Sequence, residues 1–425
     1  MKKYSIVSLG CPKNLVDSEY FNQIFIDSDF TLTADAEKAD FVLINTCGFI
    51  NPAKEESINT IFEYTELKKQ NKHLQVIVTG CLVKRYMDDL KAEIPEVDHW
   101  IELKDFETLK TILHTNRSSD KRAILTPKYY AYLRISDGCN NHCAYCAIPG
   151  IRGDLKSEPM ESLIEQAKDL ANQGVKELII NAQDTSQYGT DLYQQQMLIQ
   201  LIKSIHEIEG IQWIRLLYLH PAHLSLEMID EIALLPKLCH YFDIPLQHIN
   251  DEILQQMNRH TNKAHILSVL NHIRQKMPDA VLRTTFITGF PGEDTKKFNE
   301  LLRFIKEIRF DKLGAFAYSP EEGTPAIDFE NQVKPKTAEN RKDRIMMLQQ
   351  EISAQNLEKF INREIEVIIE KKSQDKGFQW EGRSRYDAPE IDGIVYITKA
   401  NAKIGDIIKA RVIETWEYDL VAEGL

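Results

Sequence analysis

The sequence predicts an α/β protein built in three parts: a parallel α/β domain at the N-terminus, a partial TIM-like (β/α)6 barrel in the centre, and a small β-barrel at the C-terminus. Two series of apolar runs alternating with helical patterns predict the first two parts. Short alternating runs separated by Gly and Asp turns predict the third. The chain has 425 residues, of which 43% are hydrophobic and 27% charged, so it is long enough for several domains with buried cores.

The N-terminal part begins with three short runs rich in Ile and Val, at residues 4–9, 41–45 and 75–79. Helical patterns follow them at residues 15–26, 53–69 and 84–93. Strand, loop and helix thus alternate three times, which predicts a small parallel sheet. Each run ends beside a cysteine, and ligands of open parallel sheets gather beyond the carboxyl ends of the strands. We therefore expect these cysteines to converge on one edge of the sheet.

A polar stretch at residues 116–120 predicts a linker to the central part. Beyond it, six further apolar runs alternate with amphipathic helical patterns such as residues 160–172 and 197–208. The predicted strands are residues 131–135, 178–181, 214–219, 241–244, 282–288 and 313–318. Six such βα units predict a partial barrel of the TIM kind, whose active site lies at the carboxyl ends of the strands.

The C-terminal part begins with one long polar helix, predicted at residues 338–361 because apolar residues recur along one stripe. Alternating runs at residues 365–370, 394–398 and 407–413 then predict the small β-barrel. The predicted units are therefore residues 1–116, the barrel at 125–335, a linking helix at 336–358, and the terminal barrel at 359–425.

Composition excludes several classes of protein. The formal net charge is −12, which gives no hint of the basic face that nucleic-acid-binding proteins usually carry. Seven widely spread cysteines exclude a small disulfide scaffold, and three of them within eight residues indicate metal chemistry in a reducing compartment. No run of about 18 apolar residues predicts a spanning helix, and the apolar stretch at residues 4–9 is shorter than a secretion signal requires. We expect a cytoplasmic protein.

The clearest chemical motif is a Cys-x3-Cys-x2-Cys loop formed by Cys139, Cys143 and Cys146 after the first predicted barrel strand. Such a loop supplies three thiolates to a four-iron cluster that normally takes four cysteines. Three ligands leave one iron open, as a catalytic metal keeps a free position. The rival interpretation is structural zinc, which requires four tetrahedral ligands, and His142 is badly placed to be the fourth.

A second constellation consists of Cys11, Cys47 and Cys81, which follow the three N-terminal strands. The strand-end rule favours a shared metal site. The alternative is three separate buried cysteines, since a free Cys is often a core residue. Cys239 stands alone near a strand start, and we interpret it as a packed core thiol.

Residues 138–153, which contain the Cys-x3-Cys-x2-Cys loop, resemble the signature of radical S-adenosylmethionine (SAM) enzymes. With the three spaced N-terminal cysteines, nearly the whole chain resembles the methylthiotransferases of that superfamily. The resemblance implies two 4Fe-4S clusters held by the six cysteines, SAM bound in the barrel, a C-terminal TRAM barrel, and a low-potential electron donor. It also implies that one SAM supplies a methyl group and another a radical, and that a methylthio group held at the second cluster is transferred to carbon.

Residues 8–19, which include Gly10-Cys11-Pro12-Lys13-Asn14, and residues 382–393 resemble the RimO-type subgroup. That subgroup modifies Cβ of an aspartate in the twelfth protein of the small ribosomal subunit. The tRNA-modifying subgroup tends to carry Gln-Met-Asn after the Gly-Cys pair. Residues 359–425 contain 11 Lys and Arg and 13 Asp and Glu, which suits a basic ribosomal protein better than tRNA. The alternatives are a tRNA adenosine methylthiotransferase and a non-catalytic iron–sulfur carrier.

The remaining candidates lie at or near predicted strand ends. Tyr145 occupies the position that in the superfamily contacts the adenine of SAM, and its alternative role is packing against the cluster loop. Contacts to cofactor or substrate, or ordinary hydrogen bonding at the barrel mouth, are the two interpretations of Gln183, Asp184, Gln247 and Arg283. We expect His220 and His248 to be structural. The carboxylates of Asp387, Glu390 and Asp392 lie in a loop that either contacts the ribosomal substrate or forms a solvated turn.

Overall fold

The computed structural model describes residues 2–117 and 121–425. Residues 118–120 of the predicted linker, and residue 1 of the predicted N-terminal domain, lie outside the described residues. No helix in the described ranges combines the length and the apolar character needed to cross a bilayer.

The N-terminal domain is a parallel sheet with helices between its strands. Its strands are β1 (Lys3–Ser8), β2 (Thr31–Leu32), β3 (Phe41–Thr46), β4 (Gln75–Gly80) and β5 (His99–Trp100), and its helices are α1 (Pro12–Asp27), α2 (Asn51–Glu66), α3 (Cys81–Glu93) and α4 (Phe106–Ile112). The strand order is β2-β1-β3-β4-β5. The three predicted strands are confirmed to within one residue at each end. The edge strands β2 and β5 were not predicted, because two residues are too short to show an alternating pattern.

The central part contains a six-stranded parallel sheet. The strands of this part are β6 (Tyr130–Arg134), β7 (Ser136–Asp137), β8 (Lys156–Ser157), β9 (Glu177–Asn181), β10 (Trp213–Leu216), β11 (Leu238–Asp243), β12 (Val281–Thr288) and β13 (Lys312–Ala317). Its helices are α5 (Ile148–Arg152), α6 (Met160–Asn172), α7 (Leu198–His206), α8 (Leu226–Ile232), α9 (Asp251–Gln256), α10 (Lys263–Lys276) and α11 (Thr295–Ile308). The large sheet has the order β6-β9-β10-β11-β12-β13, while β7 and β8 pair separately. The predicted partial barrel is confirmed. Strand β10 ends earlier than predicted, because Tyr218 adopts a left-handed φ of 61° that turns the chain.

The C-terminal part is a long helix followed by a closed five-stranded barrel. These elements are α12 (Pro335–Leu357), β14 (Glu364–Lys372), β15 (Trp380–Ser384), β16 (Val395–Ile397), β17 (Ile407–Thr415) and β18 (Leu420–Gly424). Short 3-10 helices lie at Ala36–Lys38, Leu67–Lys69, Thr185–Gln187, Pro221–His223, Pro325–Asp328 and Glu358–Phe360. Strand β15 was not predicted because Gly382 interrupts its pattern. A Cβ at this position would lie 2.4 Å from the carbonyl oxygen of Ile368, so the pairing with β14 requires glycine.

Two apolar layers cover the two faces of the barrel sheet. Ala131 and Leu133 of β6 belong to the large core beneath the outer helices. Their neighbours Tyr130 and Tyr132 point the other way and belong to a second cluster inside the barrel. That inner cluster also includes Val16 of α1 and residues of the C-terminal barrel. All three parts of the chain therefore share one inner core, which fixes α1 and its cysteine against the barrel.

A buried group of charges joins the C-terminal barrel to the central sheet. Glu177, at the start of β9, accepts from Arg215 Nε at 2.7 Å and from Arg383 Nη2 at 2.5 Å. All three side chains are at most 3% exposed. Burial alone would raise the pKa of Glu177, but the guanidinium groups of Arg383 and Arg215 outweigh it and hold the pKa below its ordinary value. Glu177 is thus an ionised carboxylate at the domain junction.

The acidic loop of the C-terminal barrel packs against the central barrel. Asp387 accepts from Lys312 Nζ at 2.7 Å, and Asp392 accepts from the Tyr241 hydroxyl at 2.6 Å. Both carboxylates are nearly inaccessible, while the more exposed Glu390 accepts from the Tyr130 hydroxyl at 3.1 Å. Asp387 and Asp392 therefore neither face a substrate nor lie in a solvated turn. Both predicted interpretations of this loop are wrong for these two residues. Net charge along a sequence cannot tell whether a carboxylate faces solvent or another domain.

Candidate active site between two cysteine trios

The first cysteine trio lies on the loop between β7 and α5, directly after the first barrel strand. Gly138 begins the loop with a φ of 73°, and a Cβ there would lie 2.0 Å from the carbonyl oxygen of Asp154. Only glycine permits this close return of the chain. The Cys139 amide then donates to the Gly153 carbonyl at 3.1 Å, and the Ala144 amide donates to the Met257 carbonyl at 3.0 Å. These bonds hold the loop at the mouth of the barrel.

The cysteines of this loop are partly shielded from water, since Cys143 is buried and Cys139 and Cys146 are half-buried. Burial raises the pKa of Cys139 to about 11 and that of Cys146 to about 12. Arg259, which is buried, donates from Nη1 to the sulfur of Cys143 at 3.5 Å. Buried thiols remain protonated at neutral pH, but a bound metal deprotonates a coordinating thiol. The guanidinium of Arg259 then supplies a charge that offsets the thiolates, so the loop fits a metal cluster.

The second trio lies where three parallel strands end. Cys11 precedes α1, Cys47 follows β3, and Cys81 is the first residue of α3. The glycine beside each strand end allows close approach. A Cβ on Gly10 would lie 2.8 Å from the sulfur of Cys47, and a Cβ on Gly48 would lie 2.7 Å from the Cα of Leu82. The predicted convergence of the three cysteines on one edge of the sheet is thus what the structure shows.

Asn14 holds the second trio together from below. Its Nδ2 donates to the carbonyl groups of Leu9 at 3.0 Å and Thr46 at 2.9 Å, the last residues before Gly10 and Cys47. Its Oδ1 accepts from the Cys81 thiol at 3.5 Å. Burial raises the pKa of Cys81 to about 12 and also raises the pKa of Cys47. The second trio therefore has the same chemical character as the first.

The spacing of the sulfurs favours a cluster over a single ion. All seven cysteines are free thiols. Within residues 2–117 and 121–425, the one group that places three ligand atoms within 4.8 Å of each other is Asp184, His220 and His223. The cysteine trios are wider than this. A cubane cluster binds each thiolate through a different iron, so it suits wider spacing than one tetrahedral zinc ion does.

Arg152, at the end of α5, connects the two trios. Its guanidinium donates from Nη1 to both oxygens of Asp137 at 3.1 Å, two residues before Cys139. From Nη2 it donates to Asn14 Oδ1 at 2.6 Å, to Asp17 at 2.9 Å and to the sulfur of Cys81 at 3.7 Å. The side chain is 1% exposed. One buried cation thus ties the first cluster loop to the second trio.

Two of the predicted barrel-mouth residues present unpaired polar atoms. Gln183 donates to Asp137 Oδ1 at 2.9 Å, yet its Oε1 is buried without a partner among the described residues. Gln247 adopts a φ of 70° and pairs its backbone with Thr285 and Ile287, and its Oε1 is likewise buried and unpaired in the described ranges. Buried polar atoms normally find partners. Their unpaired amide oxygens at the strand ends fit a polar ligand such as SAM.

Asp184 and Arg283 are both engaged within the chain. Asp184 accepts from Asn141 Nδ2 at 2.9 Å and lies 2.7 Å from His223 Nδ1, so it supports the cysteine loop. Arg283 is the third residue of β12 and donates to Asp243 at 2.7 Å. The structure therefore places Arg283 inside the barrel rather than at a carboxyl strand end. Their predicted contacts with the cofactor remain predictions.

The remaining candidates are packed as their alternative roles require. The ring of Tyr145 meets Phe290 edge-on with 6.5 Å between centroids, and its hydroxyl lies 3.4 Å from Arg259 Nη1. The packing role of Tyr145 is therefore visible, and its adenine contact stays a prediction. His248 is fully buried beside Glu293 at 3.2 Å, and Cys239 is a buried core residue. His220 accepts from the Ala222 amide at 3.2 Å. All three residues are built into the fold.

Sequence reasoning missed four residues of this site: Lys13, Asn14, Arg152 and Asn181. Lys13 and Asn14 stand within the motif after Cys11, and Arg152 stands just before Gly153, so their closeness to the cysteines was the available signal. Asn181 is the last residue of β9, and both polar atoms of its buried side chain are unpaired in the part of the chain described. The contacts of Arg152 with Asn14 and Cys81 span 138 and 71 residues, which no local pattern reveals.

Family models match three stretches of the chain that correspond to the three parts of the fold. Residues 3–102 match a model described as uncharacterized protein family UPF0004. Residues 133–305 match the radical SAM superfamily, and residues 361–424 match the TRAM domain. The radical SAM match means that the protein uses an iron–sulfur cluster and SAM.

The structures most useful for comparison share the fold at low identity. The radical SAM methyltransferase TsrM from Kitasatospora setae, with cobalamin and a [4Fe-4S] cluster bound, gives a TM-score of 0.55 at 11% identity and 77% coverage of both chains. The cobalamin-dependent SAM radical enzyme OxsB gives a TM-score of 0.52 at 12% identity, covering 81% of this chain and 56% of that one. At these identities the likeness shows the fold alone.

Curated relatives match from end to end. A protein from Desulforamulus reducens named ribosomal protein uS12 methylthiotransferase RimO is 43% identical over 441 residues, covering 100% of this chain and 99% of the relative. Proteins of the same name from Aquifex aeolicus and Bdellovibrio bacteriovorus are 43% identical over 425 residues and 40% identical over 444 residues, with at least 96% of every chain covered. This chain belongs to the RimO family of radical SAM methylthiotransferases.

Proposed function

We propose that this protein transfers a methylthio group to Cβ of an aspartate in ribosomal protein uS12, with one 4Fe-4S cluster on each cysteine trio. The observation that carries the proposal is the pair of three-cysteine sites at facing strand ends, joined through the buried side chain of Arg152. The curated relatives named uS12 methylthiotransferases support the substrate, since their identity extends over the whole chain.

In this proposal Cys139, Cys143 and Cys146 hold the cluster that binds SAM, and Cys11, Cys47 and Cys81 hold the second cluster. When bound, the clusters and SAM would supply the chemistry that forms a radical on the substrate and the methylthio group that this radical takes up. With three cysteines each, the trios would leave one coordination position of a bound cluster free for a reactant.

The side chains around the two trios position and shield the reactants. The amide atoms of Gln183, Gln247 and Asn181 that have no partner in the described part of the chain are available to the polar groups of SAM and substrate. The aromatic inner core below them excludes water, which protects a radical from side reactions. The Arg152 and Asp137 pair fixes the distance between the trios, because both side chains are held by several charge-assisted hydrogen bonds.

We further propose a cytoplasmic protein whose units are residues 1–116, 125–335, 336–358 and 359–425, and which receives electrons from a low-potential donor. Its partner is uS12, free or within the ribosome, rather than tRNA. The near-neutral charge of residues 359–425 supports this choice, since a tRNA-binding barrel would be basic.

The test is a competition between the two possible substrates. Anaerobically reconstituted protein is given SAM, a low-potential reductant, recombinant uS12 and bulk tRNA together, and both products are analysed by mass spectrometry. We expect a methylthio mass increment on one aspartate of uS12 and none on tRNA adenosine. Modification of tRNA alone would instead assign the protein to the tRNA-modifying class. Failure to cleave SAM reductively would assign it to the carriers.

A further inference from the structure

We infer that Lys13 is the binding group for the carboxylate of the substrate, and that it selects an acidic side chain over a neutral one. The inference rests on the proposed function, because it takes the aspartate of uS12 as the target. The proposed function assigns the cysteines to the two clusters. The present inference adds a residue that determines substrate specificity, the lysine of α1.

Lys13 reaches from α1 into the mouth of the barrel. Its side chain is buried, and its Nζ lies 3.3 Å from the carbonyl oxygen of Ala182, the residue that follows β9. The same Nζ lies 3.5 Å from the centroid of the Tyr218 ring, in the loop after β10. Only Pro12 separates Lys13 from Cys11 in the sequence. The ammonium group therefore stands between the second trio and the carboxyl ends of two barrel strands.

No carboxylate neutralises this ammonium group within the described residues, since none of them has an oxygen within 4.0 Å of it. Asp243 and Asp137 are the carboxylates that act on Lys13 electrostatically. Asp243, however, already pairs with Arg283 at 2.7 Å. Asp137 already pairs with Arg152 at 3.1 Å and with Lys104 at 2.9 Å. A buried ammonium group without a counter-ion is unfavourable, and the carboxylate of a bound substrate would supply that counter-ion.

Three other arginines near Lys13 are already paired with carboxylates. Arg134 and Arg152 share Asp17, and Arg283 has Asp243. Arg259 has no ion pair among the described residues, but it donates to the sulfur of Cys143 and to the carbonyl of Pro245. Among the described residues, the Nζ of Lys13 contacts only a neutral carbonyl and a ring face. A lysine ammonium group has three N–H donors, so Lys13 has donors free to bind one carboxylate.

The competing explanation is that Lys13 only offsets the charge of the second cluster, because Cys11 lies two positions before it in the sequence. The two explanations differ in one respect. A group that only balances cluster charge responds equally to any substrate, whereas a carboxylate-binding group distinguishes aspartate from asparagine. The identity of the target side chain is therefore the variable to change.

The test measures binding of two fluorescent uS12 segments to the holoenzyme with SAM and without reductant, so that no turnover occurs. One segment carries the target aspartate and the other carries asparagine in its place. Wild type is expected to bind the aspartate segment about tenfold or more tightly, as charge-assisted hydrogen bonds imply. Lys13→Met should bring this ratio close to one, and Lys13→Arg should restore part of it. Lys2→Met is the matched control, because Lys2 also lies over a ring, that of Phe30, but on the surface.

The outcomes separate this inference from the proposed function. The iron content of the Lys13→Met protein shows whether it loads both clusters. The ratio of wild-type affinities for the aspartate and asparagine segments tests the inference without any variant. Equal wild-type binding of both segments overturns the inference, and so does a Lys13→Met protein that keeps the wild-type ratio. If wild-type protein fails to methylthiolate uS12 in the competition experiment, the proposed function has failed instead.

Discussion

The buried charges at the domain junction give a direct test of how the C-terminal barrel is held. The perturbation is Glu177→Gln, which keeps the shape of the side chain and removes its charge. Glu177 binds Arg215 through one oxygen and Arg383 through the other. Arg383 would keep Glu370 at 3.0 Å and the Asp387 carbonyl at 2.9 Å. Arg215 would keep a carbonyl group but lose the one carboxylate that it has in the described part of the chain.

The expected cost follows from the burial of the stranded charge. Arg215 is fully buried, and removing one partner of a buried ion pair costs about 3–5 kcal/mol. Glu370→Gln is the matched control. It contacts the same Arg383 but is 26% exposed, so we expect a loss below about 1 kcal/mol. The difference between the two variants isolates the contribution of burial.

The assay is native-state hydrogen exchange of the amides in β15, because this strand carries Arg383, which donates to Glu177. A loss of this size lowers the opening free energy, so exchange should accelerate by at least about a hundredfold in Glu177→Gln. The Glu370→Gln protein should exchange within about fivefold of wild type. If Glu177→Gln exchanges as slowly as Glu370→Gln, the junction does not depend on this ion pair.

The junction also predicts a dependence on pH. The pKa of Glu177 in the folded protein lies below its ordinary value, because its two arginines outweigh its burial. Its stabilising contribution is therefore complete above the unfolded pKa of about 4.3 and is lost as the pH falls through the folded pKa. The difference in protection between wild type and Glu177→Gln should persist at neutral pH and shrink in acid. A difference that grows on acidification contradicts this sign.

Three further predictions concern the clusters and the acidic loop. Wild-type protein should bind about eight irons after anaerobic reconstitution, and a variant with Cys139, Cys143 and Cys146 changed to Ala should bind about four. A wild-type plateau at about four irons would contradict the presence of a second cluster. Arg152→Met in that triple variant should lower the reduction potential of the remaining cluster, because the sulfur of Cys81 loses a cationic donor, and an unchanged potential in an EPR titration would contradict this. Asp387→Asn should loosen the C-terminal barrel, since Lys312 loses its buried partner, whereas Glu390→Gln should not; equal thermal midpoints for both variants would mean that the loop carries no docking energy.

The sequence predicted those parts of the molecule that local patterns encode. The three inner strands of the N-terminal sheet and the six strands of the barrel sheet follow from apolar runs, and the helix Met160–Asn172 has the predicted bounds. The grouping of Cys139, Cys143 and Cys146 follows from their spacing. The convergence of Cys11, Cys47 and Cys81 follows from the rule that parallel strands present ligands at their carboxyl ends. Strand β15 was missed because Gly382 serves a close contact with β14 rather than an alternating pattern.

The contacts between domains could not be predicted from local patterns. Lys13 meets Ala182 across 169 residues, and Glu177 meets Arg383 across 206 residues. The acidic loop shows the same limit from the other side. Its three carboxylates are visible in the sequence, yet their direction is decided by Tyr241 and Lys312 of the central barrel. Charge pairing across domains depends on the assembled fold, and a single sequence gives the charges without the partners.

The central claim is that the two cysteine trios hold clusters with different tasks. The most direct measurement compares two reactions of one variant in which Cys11, Cys47 and Cys81 are all changed to Ala. With reductant and SAM, this variant should still release 5′-deoxyadenosine, because the loop at residues 139–146 is untouched, but it should form no methylthiolated uS12. Methylthiolation of uS12 at the wild-type rate by this variant would contradict the account, because the second trio would then have no part in the transfer.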